Sequence, residues 1–242
     1  MVVDRSRSDV VVGAVERTRS DVVAGVLRLA LAGSALAGTQ DIWWHGRLGG
    51  LVYFTNQSGL LLAVVMVWAG VATLRGTPQP PGWLKGGVTL FLLVTALVAY
   101  FVLPPGPGAA GGFRVTSGFA EHRLDPVLAF VDFVLVDAHR RLRPRHAAAW
   151  LGYLVAYSAA VTARGLLRPT LGFPYAFLDV REVGGGGWAR TVALLGGASW
   201  LLGLLLVGID RVLPAAALVG TAGRAPGPAP GPARGSGPGP AP

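Results

Sequence analysis

The chain has 242 residues, 52% of them hydrophobic and only 14% charged, with a mean hydropathy of +0.54. Soluble domains carry about a quarter charged residues and show apolar periodicity, so the long apolar blocks found here exclude an ordinary soluble fold. The absence of cysteine excludes disulfides and thiolate metal sites, and the net charge of +9 sits mostly in loops beside apolar blocks, without the aromatic–basic interleaving of a nucleic-acid-binding surface.

A helix needs about 20 apolar residues to cross roughly 30 Å of hydrocarbon. Six stretches meet that need, at 22–40, 51–74, 84–103, 118–138, 147–167 and 190–212, so the expected fold is all-α, a polytopic bundle of six transmembrane helices. Residues 1–21 read as a cytoplasmic N-terminal segment, in which RSDVVVG at 7–13 recurs as RSDVVAG at 19–25, a local duplication extending the first helix. The first span carries Arg28 near its start, placed to snorkel to the headgroups. The ALA at 35–37 imitates a signal-peptidase site, and cleavage there is the alternative to a retained span.

The second span opens with LVYFTNQSGLL at 51–61, four consecutive hydrogen-bonding side chains set among apolar ones. Were Thr55, Asn56, Gln57 and Ser58 outside the membrane, only 59–74 would remain to cross it, about 24 Å of helix. The polar group is therefore expected inside the outer leaflet, with Thr55 and Ser58 on one helix face. The helix-breaking runs RGTPQPPG at 75–82 and LPPGPGAAGG at 103–112 bracket the third span.

The fourth span, GFAEHRLDPVLAFVDFVLVDAH at 118–139, contains an Asp125 and Pro126 pair that resembles a helix start. The 14 residues from Pro126 to His139 are too few to cross, so the helix is expected to begin upstream with a kink or irregular backbone. That puts His122, Arg123 and Asp125 level with Thr55, and Asp132 deeper. Ionisable groups at membrane depth are costly and mark functional sites by default.

The fifth span follows the basic run HRRLRPRH at 139–146. The next loop, ARGLLRPTLGFPYAFLDVREVGGGGW at 163–188, combines Arg164 and Arg168 with Asp179 and Glu182. Its Pro174, Tyr175 and Phe177 can fold it over the bundle mouth, or serve as interfacial anchors. After the sixth span, residues 213–242 form a Pro/Ala/Gly-rich tail expected to be disordered. Thirteen Lys and Arg fall on the side of the termini and seven on the other, which predicts a cell-membrane protein with both termini cytoplasmic.

The order of YFTNQ at 53–57, His122-x-x-x-Pro126 with Asp132 following, Arg164 with Gly165, and FPYAFLD at 173–179 resembles the bacterial Pr-six-Pr membrane proteins. That six-pass group is itself similar to the eukaryotic androgen-induced / FAR-type membrane proteins, and the resemblance spans roughly residues 25–212. It implies hydrolysis of fatty acid esters of hydroxy fatty acids, the chemistry of the eukaryotic relatives, by an intramembrane threonine and a histidine. Thr55 and His122 match those catalytic positions. The bacterial group has no assigned reaction.

On this reading Thr55 is the nucleophile and His122 its general base. Asp125 would orient the histidine, and Asn56 or Gln57 would donate to the oxyanion. Asp132, Arg164, Tyr175 and Asp179 complete the set of substrate-contacting or orienting candidates. The expected partners are membrane lipids and a fatty-acyl ester, with no nucleic acid, metal or cofactor. No G-x-S-x-G, H-E-x-x-H, P-loop or dinucleotide fingerprint occurs. Two other readings stand beside the hydrolase: a non-catalytic bundle whose polar groups join its helices, and a small transporter coupling protons through Asp132 and His122.

Overall fold

Helices begin and end where the sequence supplies caps. Thr18 opens the first, α1 (Arg19–Gly38), with a capping box: its hydroxyl accepts from the Asp21 amide at 3.3 Å, and its own amide donates to the Asp21 carboxylate at 3.0 Å. α2 (Phe54–Arg75) stops at Gly76, whose φ of 67° suits a residue without Cβ. α3 (Gly82–Phe101) follows Pro80 and Pro81, and α5 (Pro144–Leu167) carries proline at its first position. Asp179 caps α6 (Val180–Val212) by accepting from the Arg181 amide at 3.0 Å, and Gly184, at φ 69°, interrupts its first turns.

The fourth helical stretch is composite. One turn of α-helix (Ser117–Phe119) leads into a π-helical turn (Ala120–Leu124) and then α4 (Asp125–Leu135). The helix thus starts upstream of Pro126 through irregular but helical backbone. π-Turns add a residue to the turn and recur at functional sites.

This computed structural model describes residues 18–103 and 117–220. Most of the expected N-terminal segment, the 104–116 loop and the tail from 221 onward lie outside the described residues. Those described are all-helical, without a strand. Four helices, α1, α2, α3 and α6, are long and apolar enough to cross a membrane.

Burial is inverted relative to a soluble protein. Val26, Leu27, Val64, Leu201 and Leu205 are exposed, whereas Arg28, Lys85, Asp125 and Asp132 are buried. α3 is the central helix, packed on α2, α4, α5 and α6. One core layer joins Leu31 and Ala35 of α1, Leu62 and Met66 of α2, and Val88 and Leu92 of α3. A second gathers Phe54, Phe91, Phe133, Trp150 and Leu206.

α1 and α2 approach most closely at Gly25 and Gly70. A Cβ at Gly70 would lie 2.9 Å from Leu29 and 3.0 Å from the Gly25 carbonyl oxygen, a backbone atom that cannot rotate away. Small residues permit such contact between helices in lipid. Gly70→Val is therefore expected to destabilise the bundle by about 1–3 kcal/mol. Gly33→Ala, where a Cβ would meet nothing within 4 Å, should leave thermal unfolding in detergent unchanged.

A four-charge cluster ties α1, α3 and α4 together. Arg28 does not snorkel. It is 2% exposed and donates through Nε to Asp132 Oδ1 at 2.7 Å, through Nη2 to Asp137 Oδ1 at 2.6 Å, and through Nη1 to Thr73 Oγ1 at 2.8 Å. Lys85 donates to Asp132 Oδ2 at 2.6 Å and also to Asp137. Two cations and two carboxylates make this cluster neutral, which is the condition for burying charge in a low-dielectric interior.

Candidate functional site

Tyr53 is extended, at φ −82° and ψ 130°, so α2 starts at Phe54 and Thr55 sits in its first turn. Helix N-termini leave backbone amides without intrahelical partners. Here the Phe54 amide donates to the Tyr175 hydroxyl at 3.1 Å, so the loop before α6 closes over the start of α2. Burial raises the pKa of the Tyr175 phenol.

His122 reaches the same point from the π-turn, its Nε2 lying 3.5 Å from Thr55 Oγ1. The other ring nitrogen, Nδ1, is 3.0 Å from the Gly118 carbonyl oxygen. A carbonyl can only accept, so in this contact Nδ1 carries the proton. In the neutral ring Nε2 then presents its lone pair to the threonine, the tautomer required of a general base.

The two groups border a cavity of about 80 Å³. α3 contributes Val94, Thr95 and Val98; α5 contributes Leu154, Val155, Tyr157 and Ser158. α6 adds Val192, Leu195, Gly196 and Ser199, and the loop adds Tyr175, Phe177 and Leu178. Val155, Val192 and Gly196 also line an open groove of about 780 Å³ between α5 and α6.

The loop over the mouth is held by several contacts. Arg164 Nη1 donates to the Gly172 carbonyl at 3.1 Å. Phe173 packs on Gly165, where a Cβ would come within 2.5 Å of the ring. Arg181 lies 4.8 Å above the Phe173 ring and pairs with Asp179 at 2.8 Å. Hydrogen bonds from Arg181 hold the Asp179 carboxyl below the usual carboxylate range. Tyr175 meets Tyr53 edge-on at 5.9 Å and stacks with Phe177 at 5.1 Å. Arg164 and Asp179 thus shape the loop, and its Tyr175 holds the Phe54 amide, next to Thr55 in the chain.

Four expected participants are engaged elsewhere. Asp125 does not orient His122, because its carboxylate faces α1 and accepts from Ser34 Oγ at 2.6 Å. Asn56 Nδ2 donates to the Gly50 carbonyl at 2.8 Å and Gln57 Nε2 to the Leu51 carbonyl at 2.7 Å, so both amides secure the preceding 3₁₀ turn (Leu48–Val52) instead of facing an oxyanion. Asp132, seven residues beyond Asp125, belongs to the cluster with Arg28 and Lys85.

Tyr157 and Thr95 escape the sequence reading. Tyr157 donates to the Val52 carbonyl at 2.7 Å, and Thr95 lies six residues after Thr89 in a mostly apolar helix. Each helix carries several hydroxyls or phenols, and nothing in the sequence says which of them faces the cavity.

No protein-family model, curated protein or solved structure matches this chain.

Proposed function

We propose that this protein is a six-pass member of the Pr-six-Pr group that hydrolyses lipid esters within the membrane. In this reading α5 and the stretch 117–135 cross beside the four long apolar helices, and both termini are cytoplasmic. The reading rests on one observation: a threonine hydroxyl lies 3.5 Å from the Nε2 of a histidine, whose Nδ1 faces a backbone carbonyl, on the wall of a mostly apolar cavity.

His122 Nε2 takes the Thr55 hydroxyl proton as Oγ1 attacks the ester carbonyl carbon. The tetrahedral intermediate collapses, the C–O bond to the alcohol breaks, and His122 returns the proton to the departing alkoxide. Water, deprotonated by the same nitrogen, then attacks the acyl-threonine. It releases the fatty acid and restores the hydroxyl. The Gly118 carbonyl takes the orienting role that a carboxylate fills in other triads.

The test uses purified protein in detergent, a fluorophosphonate probe and a long-chain p-nitrophenyl ester. Wild type should label and release acid, and Thr55→Ala and His122→Ala should each do neither while folding normally. A wild-type protein that neither labels nor hydrolyses ends the hydrolase reading.

One observation favours a non-catalytic reading, in which the polar side chains join structure. Asn56, Gln57 and Ser58 all donate to nearby backbone carbonyls. That reading expects Thr55→Ala to lower the melting temperature. The transporter reading takes Asp132 and His122 as its proton carriers, and both Asp132 oxygens are paired with cations.

A further inference from the structure

Hydroxyls on these helices usually donate to the carbonyl one turn back, the ordinary arrangement for Ser and Thr within a helix. Ser58 donates to Phe54 at 2.8 Å, Thr73 to Ala69 at 2.8 Å, Ser158 to Leu154 at 3.0 Å and Ser199 to Leu195 at 2.7 Å. Thr95 departs from this pattern. It is 4% exposed, and its Oγ1 has no hydrogen-bond partner. A buried polar group left unpaired is costly, so this hydroxyl calls for a partner from outside the protein, an ordered water or a ligand that displaces it.

Thr95 lines the cavity that Thr55 and His122 border. Of the other hydroxyls there, Ser158 and Ser199 bond their own helices and Tyr157 bonds Val52, while Tyr175 accepts from the Phe54 amide and Thr55 is the nucleophile of the hydrolase reading. Among the described residues that line the cavity there is no Lys, Arg, Asp or Glu. A phosphate or a free carboxylate would find no cation there except a protonated His122, the residue the hydrolase reading needs as a neutral base. Burying an unpaired ion costs several kcal/mol. A neutral acceptor such as an ester carbonyl meets no such barrier.

We infer that Thr95 donates the hydrogen bond that receives the carbonyl oxygen of an uncharged long-chain lipid ester in this cavity. The inference rests on the hydrolase reading for the word ester, and supplies the donor that Asn56 and Gln57 do not. During attack at the carbonyl carbon, negative charge gathers on that oxygen, and the bond strengthens as it does. The chain of the ester runs into the groove between α5 and α6 that shares Val155, Val192 and Gly196 with the cavity.

Two readouts test it. In the first, purified wild type, Thr95→Val and Thr95→Ser are compared by thermal shift with a long-chain methyl ketone, which cannot be hydrolysed, and with the matching alkane. Wild type and Thr95→Ser should be stabilised more by the ketone, and Thr95→Val equally by both. Thr95→Ala gives the same reading if the valine variant does not insert. A ketone preference surviving in Thr95→Val, or absent from wild type, overturns the inference. So does a lower melting temperature of unliganded Thr95→Val, which would make the hydroxyl structural.

In the second, kcat for the p-nitrophenyl ester should fall roughly a hundredfold in Thr95→Val with KM little changed. An unaltered kcat likewise overturns it. If wild type shows the ketone preference yet hydrolyses no ester, the carbonyl site stands and the hydrolase reading falls.

Discussion

Asp132→Ala is expected to cost about 3–5 kcal/mol of stability, the loss seen when one partner of a buried ion pair is removed. The reason lies in charge balance. Arg28 and Lys85 are each within 2.7 Å of an Asp132 oxygen, and Asp137 is the second carboxylate that serves both. Without Asp132 the cluster carries a net positive charge in an interior where Arg28 is 2% and Lys85 3% exposed.

Removing a cation as well restores neutrality. The double variant Asp132→Ala, Lys85→Met should therefore be more stable than Asp132→Ala alone. Thermal unfolding of the three proteins in one detergent gives the comparison. Equal melting temperatures for wild type and Asp132→Ala would mean that water or lipid headgroups already neutralise these charges.

The second large effect falls on rate. Thr55→Ala and His122→Ala should each lower kcat for the long-chain ester by about a thousandfold or more. The double variant should be no slower than the singles, because a nucleophile and its base act as one unit and their losses do not add. Thr55→Ser, which keeps the hydroxyl, should retain measurable turnover. Steady-state kinetics on folded protein decides this. Independent, additive losses would mean that the 3.5 Å contact between the two side chains is not a nucleophile–base pair.

Helix positions are legible in the sequence because hydropathy is a local sum. The expected spans 22–40, 51–74 and 84–103 correspond to α1 (Arg19–Gly38), α2 (Phe54–Arg75) and α3 (Gly82–Phe101). Length arithmetic around Pro126 likewise requires helical backbone upstream of it, and the π-turn supplies that backbone. The same arithmetic puts Thr55 and His122 at one level, where the structure brings them together.

Which side chains meet was decided by tertiary structure. Arg28 reads as a snorkelling residue, yet it finds Asp132, 104 positions away, because α1 turns that face toward α4. Asp125 reads as the partner of His122, three residues earlier, yet the π-turn sends the histidine toward α2 and leaves the aspartate facing Ser34. Asn56 and Gln57 satisfy carbonyls six residues back, in a 3₁₀ turn that composition does not announce.

The amino-acid order determined where apolar helices form and where polar groups fall along them, since both depend on residues adjacent in the chain. The rotation of each helix about its axis, set by close contacts such as Gly25 against Gly70, decided which of those groups share a cavity.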